Sequence, residues 1–423
     1  MKKRIFIICI LLYNILFINR VYSCSIFYAA IGSTILAGNS EDWNDINSMI
    51  KFIPPQNGKY GRIVYGFKDW GLDFCPWGGV NDQGLFYDWA DVGPRDPDFR
   101  AKGTIPYNGV LADKMEEECA TVDEAIALFK KYSCPGFGGA HILIGDRFGN
   151  SVVIEESENN TLTFIRKKNN YQVAENFLNS YLDDPKIYRW IQCPRYKYID
   201  ETLKDKDSIT VGLFGDILQH VGSNRTLSPT VYSNIYDLNV GKVYIYNYYN
   251  FDEVLIVDVK KELEKGYQFY KLPELFSGIK ANFPASNANI NSSSVEFRWT
   301  GNATNYEIWI SKDEQFTNPQ IINYSKPQSQ KAEFGLLYII IIISIIMLRF
   351  KKSRSLALTW VFGVLLLGGC EKTELPESTS KVEHIITIDN FEPHTKYYWK
   401  VLTNNSNGLN TETKLESFTT SDF

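Results

Sequence analysis

The segment Cys24-Ser-Ile-Phe-Tyr-Ala-Ala30, a turn at Gly32-Ser33, and Thr34-Ile-Leu-Ala-Gly-Asn-Ser-Glu-Asp-Trp43 decide how this chain is built. Two short runs rich in apolar and β-branched residues around a Gly-Ser turn read as a hairpin that returns Asp42 towards Cys24. Upstream stand Lys2, Lys3 and Arg4, an apolar run from Ile5 to Ile18, and Val21-Tyr-Ser23. That is the layout of a secretory signal at 1–23 with cleavage after Ser23. The run falls short of the about 20 residues that a membrane-spanning helix needs. Cleavage would leave Cys24 first in the mature chain. An N-terminal cysteine carries both a nucleophile, a thiol of reference pKa about 8.5, and a base, an α-amine of about 7.7 to 8.0. A lipid-acceptor cysteine is the alternative, disfavoured by bulky Tyr22 and by Arg20 so close to the apolar run.

With 423 residues the chain has room for two or three domains. A hydrophobic fraction of 44% and a charged fraction of 22% are those of an ordinary globular protein, and a net charge of -5 gives no support for a nucleic-acid partner. Strand signals fall at Ser25 to Ala30, Leu85 to Trp89, His141 to Ile144, Ser151 to Glu155, Thr161 to Arg166, Val231 to Asp237, Lys242 to Tyr248 and Glu253 to Asp258. Helical patterns cover Thr121 to Tyr132 and Ser208 to Val221. Residues 24–275 therefore read as an α+β domain on antiparallel sheets. Export to an oxidising compartment would leave Cys75, Cys119, Cys134 and Cys193 to pair in any of three connectivities.

After Pro273 an Asn/Ser-rich linker, 276–284, leads into a second strand-rich unit in two pieces, 285–325 and 380–421. Val295-Glu-Phe-Arg-Trp299 and Tyr306-Glu-Ile-Trp-Ile310 alternate apolar and polar residues, and Tyr397-Tyr-Trp-Lys-Val401 and Glu416-Ser-Phe-Thr-Thr420 supply later strands. The arrangement resembles a fibronectin type III sandwich, an all-β fold whose halves are each too small to cover a core alone. Between the halves, 334–369 holds two apolar runs joined by Arg349-Phe-Lys-Lys-Ser-Arg354. A membrane hairpin with its basic joint on the cytoplasmic side would return the chain so that the halves meet. Alternatively Leu367-Gly-Gly-Cys370 is a lipoprotein-type signal, with Cys370 lipidated, or Tyr338 to Ile346 is a buried strand. The first two readings give an exported protein, periplasmic or at the cell surface and membrane-anchored.

The opening hairpin resembles that of the choloylglycine hydrolase, penicillin V acylase and acid ceramidase family, whose members pair the cysteine with a Gly-Arg-Asn-x-Asp type motif. Further along, Gly79-Val-Asn-Asp-Gln-Gly-Leu85, His141-Ile-Leu-Ile-Gly-Asp-Arg-Phe-Gly-Asn-Ser-Val-Val-Ile-Glu155, Val173-Ala-Glu-Asn-Phe177 and Pro229-Thr-Val-Tyr-Ser-Asn-Ile-Tyr-Asp237 resemble its later landmarks in order. The resemblance implies a four-layer αββα N-terminal-nucleophile fold that hydrolyses linear amide bonds without metal or cofactor. It implies Cys24 as nucleophile, Asp42 as the carboxylate that orients the α-amine, and Asn176 as the oxyanion donor. Asn39, Asn81 and Asp91 are candidates for oxyanion or substrate-pocket support. Where the family carries arginines, this chain has Asn39 and Val231, which argues for a less anionic substrate than a bile salt. A non-catalytic, membrane-tethered adhesion or binding protein with a degenerate hydrolase domain is the rival reading. A papain-like pairing of His141 or His220 with Cys134 or Cys75 lacks any local signature.

Overall fold

In the computed structural model, residues 24–326 and 382–423 are described, apart from 70, 94–95, 97, 135–136, 184–192 and 225–227. The opening hairpin forms from β1 (Ser25–Ile31) and β2 (Thr34–Asp42), joined by a two-residue turn. Gly32 takes a φ of +61° at the first turn position, a conformation costly for any residue with a Cβ and suited to the right-handed twist of the flanking strands. Period-two alternation then splits the hairpin's side chains. Ile26, Tyr28 and Ala37 face one way, while Phe27, Ala29 and Leu36 face the other.

The hairpin sits in a sheet of order β12 (Tyr171–Ala174), β1, β2, β13 (Thr230–Asp237), β14 (Lys242–Asn247) and β15 (Glu253–Asp258). A second sheet runs β11 (Thr161–Arg166), β10 (Ser151–Ser157), β9 (Ala140–Asp146), β6 (Leu85–Asp91), β5 (Leu72–Asn81), β4 (Arg62–Asp69), β3 (Met49–Ile53) and β16 (Gln268–Lys271). The two short strands β7 (Ile105–Pro106) and β8 (Tyr132–Ser133) pair by themselves. Ile26, Tyr28, Tyr232 and Tyr236 of the first sheet bury against Phe52, Tyr65, Phe67 and Phe86 of the second.

Helices cover both outer faces. α1 (Leu111–Glu118) and α2 (Val122–Lys131) pack Leu111, Met115, Ile126 and Phe129 on Tyr87, Ile142, Ile144 and Ile154. α2 starts on a capping box, with Thr121 accepting from the Glu124 N–H and Glu124 reaching back, and it ends on Lys130 and Lys131, which complement the helix dipole. α3 (Pro194–Leu203) and α4 (Val211–Val221) pack Ile199, Phe214, Ile217 and Leu218 on Phe27, Leu36 and Ile235. A short α5 (Val259–Leu263) follows β15. The layer order is therefore helix, sheet, sheet, helix.

The C-terminal unit is a sandwich. β17 (Lys280–Phe283), β19 (Val295–Gly301) and β22 (Val382–Ile388) form one sheet; β21 (Gln320–Ser325), β20 (Asn305–Ser311), β23 (Lys396–Thr403) and β25 (Glu416–Thr420) form the other, edged by β18 (Ala288–Ile290). β19 and β22 pair from Val295↔Ile388 to Gly301↔Val382, so the two sequence halves close one core around Phe297, Trp299, Trp399 and Phe418. Part of the segment read as a linker, 276–284, is the strand β17, which pairs with β19. β24 (Thr411–Thr413) pairs with both β23 and β15, so the first sheet runs without a break into the sandwich. At that joint the buried Glu253 carboxylate accepts from the Ser277 and Gly278 N–H groups and the Thr411 hydroxyl.

Segments 1–23 and 334–369 and Cys370 lie outside the described residues. Among the described residues no helix is long and apolar enough to cross a membrane. Cys119 and Cys193 carry free thiols, which overturns all three expected disulfide connectivities. Cys119 ends α1 on one helix layer and Cys193 starts α3 on the other, so these two cannot pair with each other.

Candidate functional site

At one end of the sheet pair a cavity of about 360 Å³ is walled by Trp43, Trp77, Trp89, Val110 and Leu111, with Cys24, Glu41, Asp42 and Asp91 also on its surface. Trp43 and Trp77 meet edge to face at 4.5 Å. The hairpin register explains why Glu41 is here. Ile31↔Thr34 through Ser25↔Ser40 are opposed pairs, and one further step puts Glu41 across from Cys24 on the same face. The Cys24 thiol donates to Glu41 Oε1 at 2.8 Å, with both residues buried. Burial, and then the charges of Glu41 and Asp42, push the Cys24 thiol well above its ordinary range.

Behind Glu41, in the inter-sheet layer, stands Asp88 of β6, fully buried and with neither carboxylate oxygen hydrogen-bonded among the described residues. Burial and then the Glu41 charge push its carboxyl up. Tyr232, paired to Glu41 from the other side on β13, completes this polar cluster.

Asp42 belongs to the opposite face of β2. Its Oδ2 pairs with the Arg195 guanidinium at 2.8 Å and its Oδ1 accepts from the Thr230 hydroxyl at 2.5 Å. A guanidinium therefore stands beside Asp42 although neither position 39 nor position 231 supplies one. Asn39 and Val231 are buried in the strands, but Arg195, in the first turn of α3, reaches Asp42 from 153 residues away. Pro194 marks the helix start in the sequence, yet nothing there says which carboxylate Arg195 meets. The same face holds Glu175, fully buried, whose carboxyl is pushed up to about 8 by burial, against the Ser25 hydroxyl and the Arg195 guanidinium that favour its ionised form.

The remaining candidates divide. Asn176 donates its side-chain amide to the Asp91 carbonyl at 2.7 Å. The loop that follows is fixed by Glu155, which accepts from the Asn179 and Ser180 N–H groups. Asn81 is elsewhere: its amide donates to the carbonyls of Glu116 and Cys119 and its oxygen accepts from the Gln83 and Leu85 N–H groups, which fixes the β5–β6 turn against α1. His141 is buried with Nδ1 3.6 Å from Glu155, and His220 stacks on Tyr198, so neither histidine is on the wall shared by Cys24, Cys75 and Cys134. Among the described residues no group of His, Cys, Asp and Glu could hold a metal ion.

No protein-family model and no curated protein sequence matches the chain. Among solved structures it is similar to a variant of conjugated bile acid hydrolase from Clostridium perfringens, at 21% identity over 59% of this chain and 97% of that one, with a TM-score of 0.46. It is also similar to penicillin V acylase from Agrobacterium tumefaciens, at 16% identity over 59% of this chain and 91% of that one, with a TM-score of 0.45.

Proposed function

We propose that this chain hydrolyses a non-peptide linear amide through an acyl-enzyme on Cys24. The observation that carries the reading is a thiol at the surface of a tryptophan-walled cavity, 2.8 Å from a carboxylate acceptor. A volume of about 360 Å³ with apolar walls suits the acyl part of a small substrate, with the scissile carbonyl at the polar end. Attack by sulfur, loss of the amine and hydrolysis of the thioester then yield a carboxylic acid and an amine.

In this reading cleavage after Ser23 frees the α-amine of Cys24, and Asp42 orients it, itself fixed by Arg195 and Thr230. Asn176 serves as an oxyanion donor through its second amide N–H, the first being engaged by the Asp91 carbonyl. The protein is exported and anchored by segment 334–369 or by a lipid on Cys370. The sandwich is fibronectin type III-like, a reading supported by its two facing sheets, with the strands β17, β19 and β22 in one and β21, β20, β23 and β25 at the centre of the other. The rival, a binding module with a degenerate site, is favoured by the raised pKa of the Cys24 thiol.

Intact-mass measurement and N-terminal sequencing of the exported protein, with p-nitrophenyl acetate as acylating probe, separate the two. A chain that starts at Cys24 and gains one acetyl group there supports the hydrolase. A lipidated or unlabelled Cys24 supports the binding module. N-acyl amino acids, bile-salt conjugates and phenoxyacyl amides form the panel that then assigns the acyl group.

A further inference from the structure

We propose that Glu41 is itself a catalytic residue, the proton acceptor first for the Cys24 thiol and then for the water that hydrolyses the acyl-enzyme. This rests on the reading of Cys24 as nucleophile. Three observations carry it. The two-residue turn sets a register that opposes Glu41 to Cys24. Oε1 lies 2.8 Å from the reacting sulfur, within the range for direct proton transfer. Glu41 also belongs to the cavity wall, so a water attacking a thioester there lies within its reach.

A scheme in which the α-amine alone takes the proton leaves Glu41 as an obstacle, a negative charge beside a sulfur that must become negative. A scheme in which Glu41 takes it turns the same contact into the first step. The groups facing the pair are Asp88 from β6, Tyr232 from β13 and, across the strand, Asp42. Arg195 is engaged by Asp42 on the other face of β2. Burial and then the Glu41 charge disfavour the ionised form of Asp88.

The steps balance. The Sγ–H proton passes to Glu41 as sulfur bonds the carbonyl carbon and the carbonyl pair moves to oxygen. That pair returns, the C–N bond breaks, and the departing nitrogen takes the proton from Glu41. Water then adds to the thioester carbonyl and gives its proton to Glu41; the C–S bond breaks, and the sulfur is reprotonated. The net reaction is amide plus water to acid plus amine.

The test uses the processed full-length protein with Glu41→Gln and Glu41→Asp, and two readouts on Cys24: its alkylation by iodoacetamide across pH, and the lifetime of the acetyl adduct left by p-nitrophenyl acetate. Loss of the charge in Glu41→Gln lowers the thiol pKa and moves the alkylation midpoint down, as an ionised neighbour requires, while the acetyl adduct forms more slowly near neutral pH because the acceptor for the thiol proton is gone. In the same variant the adduct persists about 10²-fold longer or more, since the base for water is gone. Glu41→Asp, which keeps the carboxylate, falls between and stands in should the Gln variant fail to fold. An adduct lifetime unchanged in Glu41→Gln, or an alkylation midpoint that does not move, overturns the proposal while leaving Cys24 the nucleophile. A wild-type protein with no adduct on Cys24 overturns both readings together.

Discussion

In the N-terminal lobe the buried polar residues include Glu41, Asp88, Glu116, Glu155 and Glu175; in the described part of the sandwich they are Ser311, His384, Thr403, Thr411, Thr413, Ser417 and Thr420, none of them a carboxylate. The sandwich core is built from aromatic rings in contact, with the Thr403 and Thr411 hydroxyl groups hydrogen-bonded to each other and to nearby backbone. The N-terminal lobe accepts carboxyl groups that burial disfavours, and it makes room for them. A Cβ on Gly78 would sit 2.3 Å from Asp88 Oδ2, and one on Gly79 would sit 2.7 Å from Glu116 Oε1. The cost of burying carboxyl groups is thus carried by the N-terminal lobe, which holds the proposed site, and not by the described part of the sandwich.

The sharpest way to break this contrast is to remove the proposed nucleophile. Cys24→Ser leaves the fold intact and lowers acyl transfer by about 10⁴-fold or more, read as loss of the acetyl adduct by intact mass. A variant that still acylates at the wild-type rate ends the comparison. Next, Trp299→Ala in the sandwich core costs about 3 to 5 kcal/mol in urea unfolding, because Trp299 is fully buried among Tyr306, Tyr324 and His384. It leaves the alkylation rate of Cys24 unchanged, and a large change there would mean that the sandwich tunes the site. Arg195→Met strands the buried Asp42 carboxylate without its ion pair and costs about 3 kcal/mol by the same measurement.

Smallest per step, though not over the whole window, is a slope with pH. Glu175 has a folded pKa of about 8, above its unfolded value of about 4.3. Its contribution is fully present below the unfolded value and is lost as pH rises towards 8, at up to about 1.4 kcal/mol per pH unit. Urea unfolding of Glu175→Gln across this window should show that slope removed. An unchanged slope assigns the pH dependence to another group.

Much of the fold was legible because alternation is a strong signal where one strand face is apolar. Thr161–Arg166 and Glu253–Asp258 are strands at the expected boundaries, and the helix expected at Thr121 to Tyr132 is Val122–Lys131. β5 was not read, since Pro76, Gly78 and Gly79 suppress strand propensity, and the two glycines sit where a Cβ would press on the Asp88 and Glu116 carboxylates; β3 and β4, Met49–Ile53 and Arg62–Asp69, carry a readable strand pattern that was passed over. α1 was missed as well, its eight residues carrying Asp113, Lys114 and three glutamates beside only three strongly apolar or small residues on the buried side. Cys24 and Asp42 stand out because the chemistry of an N-terminal thiol draws attention to them. Glu41 was readable but unread: once a two-residue turn joins Ile31 to Thr34, every opposed pair has the same index sum, and the partner of Cys24 follows. Arg195 was not readable, because a contact across 153 residues depends on where α3 docks.

The pairing of β15 with β24 has a mechanical meaning. Glu253↔Thr413, Val254↔Glu412 and Leu255↔Thr411 couple the two lobes side by side along their strands, with Leu409 inserted into the inter-sheet core of the first. A pull applied to the sandwich is carried by these parallel-loaded backbone hydrogen bonds and passes through β14 and β13 to β2, the strand that holds Glu41 and Asp42. The sandwich thus splints the sheet that carries the β1–β2 hairpin, the hairpin of the proposed nucleophile.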